Sequence, residues 1–231
     1  MTTLAEEAMV RLRGALAGAA DPDRAPAMAA YTRDRFCFLG IPTPAQRRLA
    51  TTAWRSLPVP DEADVVAVTA ACWAGPEREY QYVGCDYAAR HVGRCGDGFL
   101  DHARFLVTTK SWWDTVDALA ANVVGPLVRA HPSLVVAMDA WVDDDDPWLA
   151  RTAILHQLRA KADTDVPRLF GYCTRRAADR EFFIRKAIGW ALREYSKTDA
   201  AAVRQFVTDH PELSPLSARE ALKWVQRKEA T

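Results

Sequence analysis

Apolar residues along this chain recur at intervals of three and four and almost nowhere at two. That period sets one side of a helix against a core, whereas a half-buried strand would alternate. No run of β-branched residues alternates with polar ones, and no Asn-Gly or Asp-Gly pair stands between two such runs. The spacing predicts helices over 4–19, 24–36, 44–56, 62–75, 78–94, 98–108, 112–130, 132–142, 147–161, 164–178, 180–197, 199–209 and 215–228. Several starts are marked. Ser111 followed by Asp114 has the spacing of a capping box, Asp146-Pro147 sets a cap before a first-turn proline, and Pro132 and Pro215 sit at openings. Short connections between such helices make antiparallel hairpins, and the pairs recur roughly every 35–40 residues, the range of HEAT-like repeats. The expectation is an all-α fold, an α-α superhelix whose concave face binds an extended partner. A helical bundle is the alternative. Only residues 21–23 and 57–61 read as linkers, so one domain over residues 1–231 is expected.

Three helices carry residues that a core does not require. In the helix from Ser111, Trp112, Val116, Leu119, Val123 and Leu127 form the apolar stripe, while Trp113 and Asp117, four apart, share a second face beside small residues. In the helix over 180–197, Ile184, Ile188, Ala191, Leu192 and Tyr195 form the stripe. Nearly opposite lie Phe183, Lys186, Trp190, Arg193 and Lys197. Cations interleaved with flat rings suit a nucleic acid, the cations for phosphates and the rings for sugars or bases. Packing of Trp190 beneath a neighbouring helix is the other reading. In the helix from Pro147, Arg151 falls on the face of Ile154, Leu155 and Leu158, near an N-terminus where the helix dipole disfavours a cation. It is a snorkelling arginine, an internal ion-pair partner, or an arginine held in a cleft for an anion.

Charge alters the picture only locally. The 30 Lys and Arg balance the 30 Asp and Glu, so the global balance names no partner. Residues 110–150 hold two basic and seven acidic side chains, but residues 151–200 hold eleven basic and six acidic. A neutral chain can therefore present a basic face. A hydrophobic content of 49% with 26% charged residues fits a folded chain. There is no apolar run of about 18 residues to span a membrane. The start, MTTLAEEAMVRLRGAL, lacks the basic beginning and apolar block of a leader. Cys37, Cys72, Cys85, Cys95 and Cys173 have no metal-ligand spacing, and the five histidines share none, so buried thiols and no metal are expected. No phosphate-loop, dinucleotide or nucleophile-elbow motif occurs, and no cofactor is expected.

Thr109-Lys-Ser-Trp-Trp-Asp-Thr-Val-Asp117, Trp148-Leu-Ala-Arg-Thr-Ala-Ile-Leu-His-Gln-Leu158, the segment from Phe182 to Thr198 and Leu216-Ser-Ala-Arg-Glu-Ala221 together resemble the AlkD-type alkylpurine DNA glycosylases. This is the DNA alkylation repair family built from HEAT-like repeats. Phe38-Leu-Gly-Ile41 and Glu77-Arg-Glu-Tyr-Gln81 are similar to it too, so the likeness runs nearly the whole chain. It implies that Trp113, Asp117 and Trp190 line a lesion site and that Arg151 approaches the DNA backbone beside it. It also implies that Tyr31 is a further cleft residue and that Arg159, where the family has a lysine, contacts a phosphate. Lys186, Arg193, Lys197 and Phe183 complete the expected DNA-binding set.

The implied activity is hydrolysis of the N-glycosidic bond of purines alkylated at N3 or N7 in double-stranded DNA, by a monofunctional enzyme that leaves an abasic site. Alkylation makes the base cationic and a good leaving group, so Asp117 need only stabilise the sugar cation and orient water. The two indoles would attract the cationic nucleoside. A monomer in the cytoplasm, associated with the nucleoid, is expected. A non-catalytic helical scaffold and a glycosylase specialised for bulky adducts are the competing expectations.

Overall fold

The computed structural model describes residues 2–229. Among them are 13 helices and no strand. They are α1 (Leu4–Ala17), α2 (Ala25–Tyr31), α3 (Thr43–Trp54), α4 (Glu62–Ala74), α5 (Arg78–His91), α6 (Phe99–Thr108), α7 (Trp113–Ala130), α8 (Val135–Trp141), α9 (Pro147–Leu155), α10 (Val166–Arg175), α11 (Phe182–Tyr195), α12 (Ala200–Asp209) and α13 (Pro215–Glu229). The chain separates into two compact units, one ending at Thr115 and the other beginning at Val116.

In the first unit α1 packs on α3 and α4, α3 on α5, and α4 on α5 and α6. In the second, α9 packs on the middle of α7, α11 on α9, and α13 on α11, with α8, α10 and α12 filling in beside them. Within each unit every odd-numbered helix therefore stacks on the next odd-numbered one. That regularity makes this an all-α helical-repeat fold, and it explains the recurrence of helix pairs along the sequence. The stripes read from the three- and four-residue spacing are the buried ones. Val116, Leu119, Val123 and Leu127 of α7 are sealed, as are Ile184, Ile188 and Leu192 of α11. Each such side chain contributes about 1.5–3 kcal/mol by leaving water.

Two segments of the first unit that share in the family resemblance, Phe38–Ile41 and Glu77–Gln81, hold each other. The carboxylate of Glu79 is fully buried and accepts the backbone N–H groups of Leu39, Gly40 and Ile41 at 2.9–3.1 Å. Gly40 makes the turn possible: its φ is +86°, and a Cβ there would lie 2.0 Å from the Asp21 carbonyl oxygen.

The structure departs from expectation at three helix ends. The segment predicted over 24–36 stops at Tyr31, because Arg33 and Asp34 take left-handed backbone (φ 60° and 55°) and return their N–H groups to Ala30 and Ala29. The segment predicted over 147–161 stops at Leu155. There the His156 carbonyl abuts Gly125 of α7 so closely that a Cβ on Gly125 would sit 2.1 Å from its oxygen. A π-turn over Ala120–Val124 immediately precedes that glycine. Third, Ser111 does not cap α7. Its hydroxyl donates back to the Val107 carbonyl at 2.7 Å, and the Asp114 carboxylate is taken by other groups. Asp146 behaves as read, accepting the Trp148 N–H at 2.8 Å. Four cysteines are buried, whereas Cys37 is exposed.

Candidate functional site

The start of α7 is fixed by a buried arginine. Arg78 is completely sealed and holds Asp114 with Nε at 3.2 Å and Nη2 at 2.5 Å. It also donates to the Lys110 carbonyl and the Thr115 hydroxyl, and its guanidinium lies 3.8 Å from the centre of the Phe36 ring. Tyr82 donates its phenol proton to the same carboxylate at 2.6 Å. Burial, followed by the Asp114 charge, pushes that phenol far above its ordinary range, so it remains a donor. A buried ion pair is tolerable only when its remaining donors and acceptors are satisfied, and here they are. The sequence reading missed this anchor. Its signal was present, since both Arg78 and Asp114 lie inside the segments quoted for the family resemblance.

From this anchored end, Trp113 and Asp117 project one turn apart on α7. Trp113 is half-buried and meets the ring of Tyr31 edge-on, with centroids 5.6 Å apart. Tyr31 is 70% exposed, so the pair presents a wet aromatic edge. Trp112, one residue earlier, is a core residue with the Arg35 guanidinium 4.4 Å over its ring.

In the second unit, Asp117 and Arg151 are partners. Arg151 Nε donates to Oδ1 at 2.6 Å and Nη2 to Oδ2 at 2.8 Å, a two-pronged pairing that fixes the plane of the carboxylate. The third nitrogen of Arg151 donates to the Phe183 carbonyl at the first turn of α11. The arginine side chain is 5% exposed and the aspartate 12%. Arg151 is thus an internal ion-pair partner in this structure, one of the readings that its position left open. Its place among the apolar residues of α9 explains this: a buried cation with a carboxylate in reach pairs with it. Phe183 lies half-buried against Trp148, ring centroids 5.1 Å apart. Trp190 is half-buried further along α11.

The remaining cations divide. Lys186 and Arg193 reach across to Glu220 of α13 at 3.3 and 3.1 Å, and Lys223 joins them at 2.5 Å. The face opposite the α11 core stripe is therefore not open along its length, because α13 packs on it. Gly189 permits the approach, since a Cβ there would fall 2.5 Å from Glu220 Cβ. The result is one sealed carboxylate among three partly exposed cations, a local excess of two positive charges. Burial works against the charged form of Glu220, but hydrogen bonds from Lys223 and Lys186 outweigh it and hold the carboxyl below its ordinary range. Sequence reasoning did not single out Glu220, although it stands in the motif ending at Ala221. Lys197 pairs with Glu194 of its own helix at 2.5 Å, and Arg159 is exposed beyond the end of α9. Among the described residues, no three His, Cys, Asp or Glu side chains are grouped so as to hold a metal ion.

The family model described as "DNA alkylation repair enzyme" matches residues 12–225. The chain belongs to that family. A solved structure described as "Predicted DNA alkylation repair enzyme from Enterococcus faecalis" is 32% identical, covers 89% of this chain and 96% of its own, and superposes with a TM-score of 0.81. No curated protein matches. In this DNA alkylation repair enzyme, the segment Thr109–Asp117 that carried the resemblance contains both Asp114, held by the buried Arg78, and Asp117, held by the buried Arg151.

Proposed function

We propose that this DNA alkylation repair enzyme hydrolyses the N-glycosidic bond of purines alkylated at N3 or N7 in duplex DNA, leaving an abasic site. One observation carries the reading: the Asp117 carboxylate, at the edge of solvent, is locked in one plane by Arg151. A fixed carboxylate in a partly water-excluded setting is preorganised to stabilise positive charge that develops on a sugar.

The chemistry needs little else. Alkylation at N3 or N7 gives the purine a formal positive charge. The bond from C1′ to the base nitrogen breaks with its electron pair going to the base, which leaves neutral. The sugar becomes an oxocarbenium ion, water adds at C1′, and the water's second proton goes to solvent. No acid is required for the leaving group, so one carboxylate suffices where sugar hydrolases use two. Trp113 and Trp190 offer electron-rich faces to the cationic nucleoside, each worth roughly 0.5–2 kcal/mol. Duplex DNA is the partner in this reading, with the cations around Glu220 and Arg159 as backbone contacts.

The test is release of 7-methylguanine from methylated duplex DNA. Asp117→Asn keeps the shape and removes the charge, so duplex binding is expected to persist while excision slows roughly a hundredfold or more. Undiminished excision by that variant would sink the mechanism.

A further inference from the structure

The first unit contains a cavity of about 690 Å³ between α3, α5 and the 55–60 loop, and nothing in the proposed chemistry uses it. Its size lies in the range that encloses a drug-sized ligand, about 300–1,000 Å³. Its floor is aromatic and preset. Trp54 meets Tyr87 edge-on at 5.0 Å, and Tyr87 meets His91 at 4.6 Å. The Trp54 indole N–H donates to the Ala8 carbonyl at 2.9 Å, which fixes the half-buried ring.

Its rim is cationic. Arg47 is neutralised by Asp86, through Nε at 2.7 Å and Nη2 at 3.0 Å. Arg55 and Arg90 line the same cavity, are exposed, and make no side-chain hydrogen bond or ion pair among the described residues. Two uncompensated guanidinium groups therefore face one opening. Beside them, burial first, then the charges of Arg90 and Arg94, hold the His91 imidazole below the ordinary histidine range. The site joins a flat apolar floor to a doubly positive rim. That combination suits a ligand with a planar body and an anionic group.

We infer that this cavity is a nucleotide-binding site, with a base stacked on Trp54 and its phosphate held by Arg55 and Arg90. Base–aromatic stacking and charge-assisted phosphate contacts are the two forces that hold unpaired nucleotides on proteins. The choice of a nucleotide over another aromatic anion rests on membership of a DNA repair family, and not on the glycosylase chemistry proposed above. The nucleotide comes from one of two sources, a free mononucleotide or an unstacked residue of a strand.

The experiment is calorimetric titration of the full chain with deoxyadenosine 5′-monophosphate, deoxyadenosine, inorganic phosphate and a five-residue unmodified deoxyadenylate strand. The nucleotide is expected to bind more tightly than either of its halves. Arg55→Ala combined with Arg90→Ala is expected to weaken it at least about tenfold. Both arginines are exposed, so the fold should survive, and circular dichroism checks that it does. Trp54→Phe, which keeps a ring but loses area and the anchoring N–H, should weaken nucleotide and nucleoside alike while sparing phosphate. If the short strand binds far more tightly than the mononucleotide with the same arginine dependence, the occupant belongs to a strand. If the mononucleotide matches it, the occupant is free. Phosphate alone binding as well as the nucleotide, or unchanged nucleotide affinity in the double variant, would overturn the inference. Release of 7-methylguanine, measured in parallel, separates the two proposals. Nucleotide binding without release defeats only the glycosylase reading, and release with arginine-independent nucleotide affinity defeats only this one.

Discussion

Replacing Glu220 by glutamine tests the second unit's most charged junction. Glu220 is 5% exposed, and its carboxylate is the common partner of Lys186, Arg193 and Lys223. The gross attraction is large, several kcal/mol per pair at an effective dielectric of about 20. Much of it is offset by the cost of taking the carboxylate out of water. The three cations are 37%, 31% and 49% exposed, so each pair is screened. At about 0.5 kcal/mol apiece the cluster contributes about 1.5 kcal/mol, or roughly 3–6 °C of melting temperature at this size. Glutamine keeps the volume beside Gly189 and removes only the charge. The sign with pH follows from the depressed carboxyl of Glu220. Its contribution is complete above the unfolded glutamate value, near 4.3, and is lost as pH falls through the lower folded value. Thermal melts of wild type and variant should therefore differ at pH 7 and draw together as pH falls from about 4 through the lower folded value. A gap that persists undiminished in acid, or no gap at pH 7, would refute the assignment. The same variant has one more net positive charge on this face. If the face contacts DNA phosphates, the slope of log affinity against log salt should steepen by about 0.9.

Two further expectations concern the junction of α7 and α9. Gly125→Ala places a methyl group 2.1 Å from the His156 carbonyl oxygen, against backbone that cannot swing away. A loss of about 3 kcal/mol or more is expected in urea unfolding, and a loss below about 1 kcal/mol would mean that the contact is not as close as described. His156 is buried, and burial lowers its imidazole to about 4 despite the opposing hydrogen bond to the Ala153 carbonyl at 2.6 Å. Between that value and the unfolded value of about 6.5 only the unfolded chain binds the proton. Stability should then fall by about 3 kcal/mol as pH drops from 7 to 4, and His156→Phe should flatten that part of the profile in the same melts.

The helices were legible because their signal is local. Apolar spacing, Asp146-Pro147 and the other start signals act within a few residues, and each of the thirteen predicted segments overlaps an observed helix. Boundaries failed where a distant element intervened. The end of α9 is set by its approach to Gly125, some thirty residues earlier, and no pattern within 147–161 encodes that. The candidate site divides in the same way. Trp113 and Asp117 could be paired from a spacing of four on one helix. The bond from Arg151 to Asp117 spans 34 positions, and spacing left open whether that arginine served an anion or an internal carboxylate. Glu220 was passed over because an acidic residue near the C-terminus looks solvated in sequence. Its burial arises only when α13 lies over Gly189. The Phe38–Ile41 and Glu77–Gln81 segments were likewise noticed apart. Their meeting through the Glu79 carboxylate is tertiary information.

In the proposed mechanism the pairing of Asp117 with Arg151 limits how much catalysis one carboxylate can supply, and that limit bears on substrate choice. A sugar cation about 3.5 Å from the carboxylate would gain about 5 kcal/mol at an effective dielectric of about 20. The guanidinium, about 4 Å further out, would take back about 2 kcal/mol. The remaining 2–3 kcal/mol is a factor of roughly 30–150 in rate, and two indole faces add roughly fivefold to several hundredfold. Enzymes acting on unactivated bonds commonly supply about 8 kcal/mol or more. Arg151 therefore fits a site that completes a cleavage the lesion's own positive charge has begun. A neutral purine keeps a poor leaving group and has no general acid assigned to it here. If Arg151 is drawn toward a DNA phosphate when duplex binds, the opposing 2 kcal/mol shrinks and the field of Asp117 on the sugar approaches its full value. With the indoles the total then reaches about 6–9 kcal/mol, still with no general acid for a neutral leaving group, so in the proposed mechanism selectivity for cationic lesions follows from the charge that the lesion itself carries.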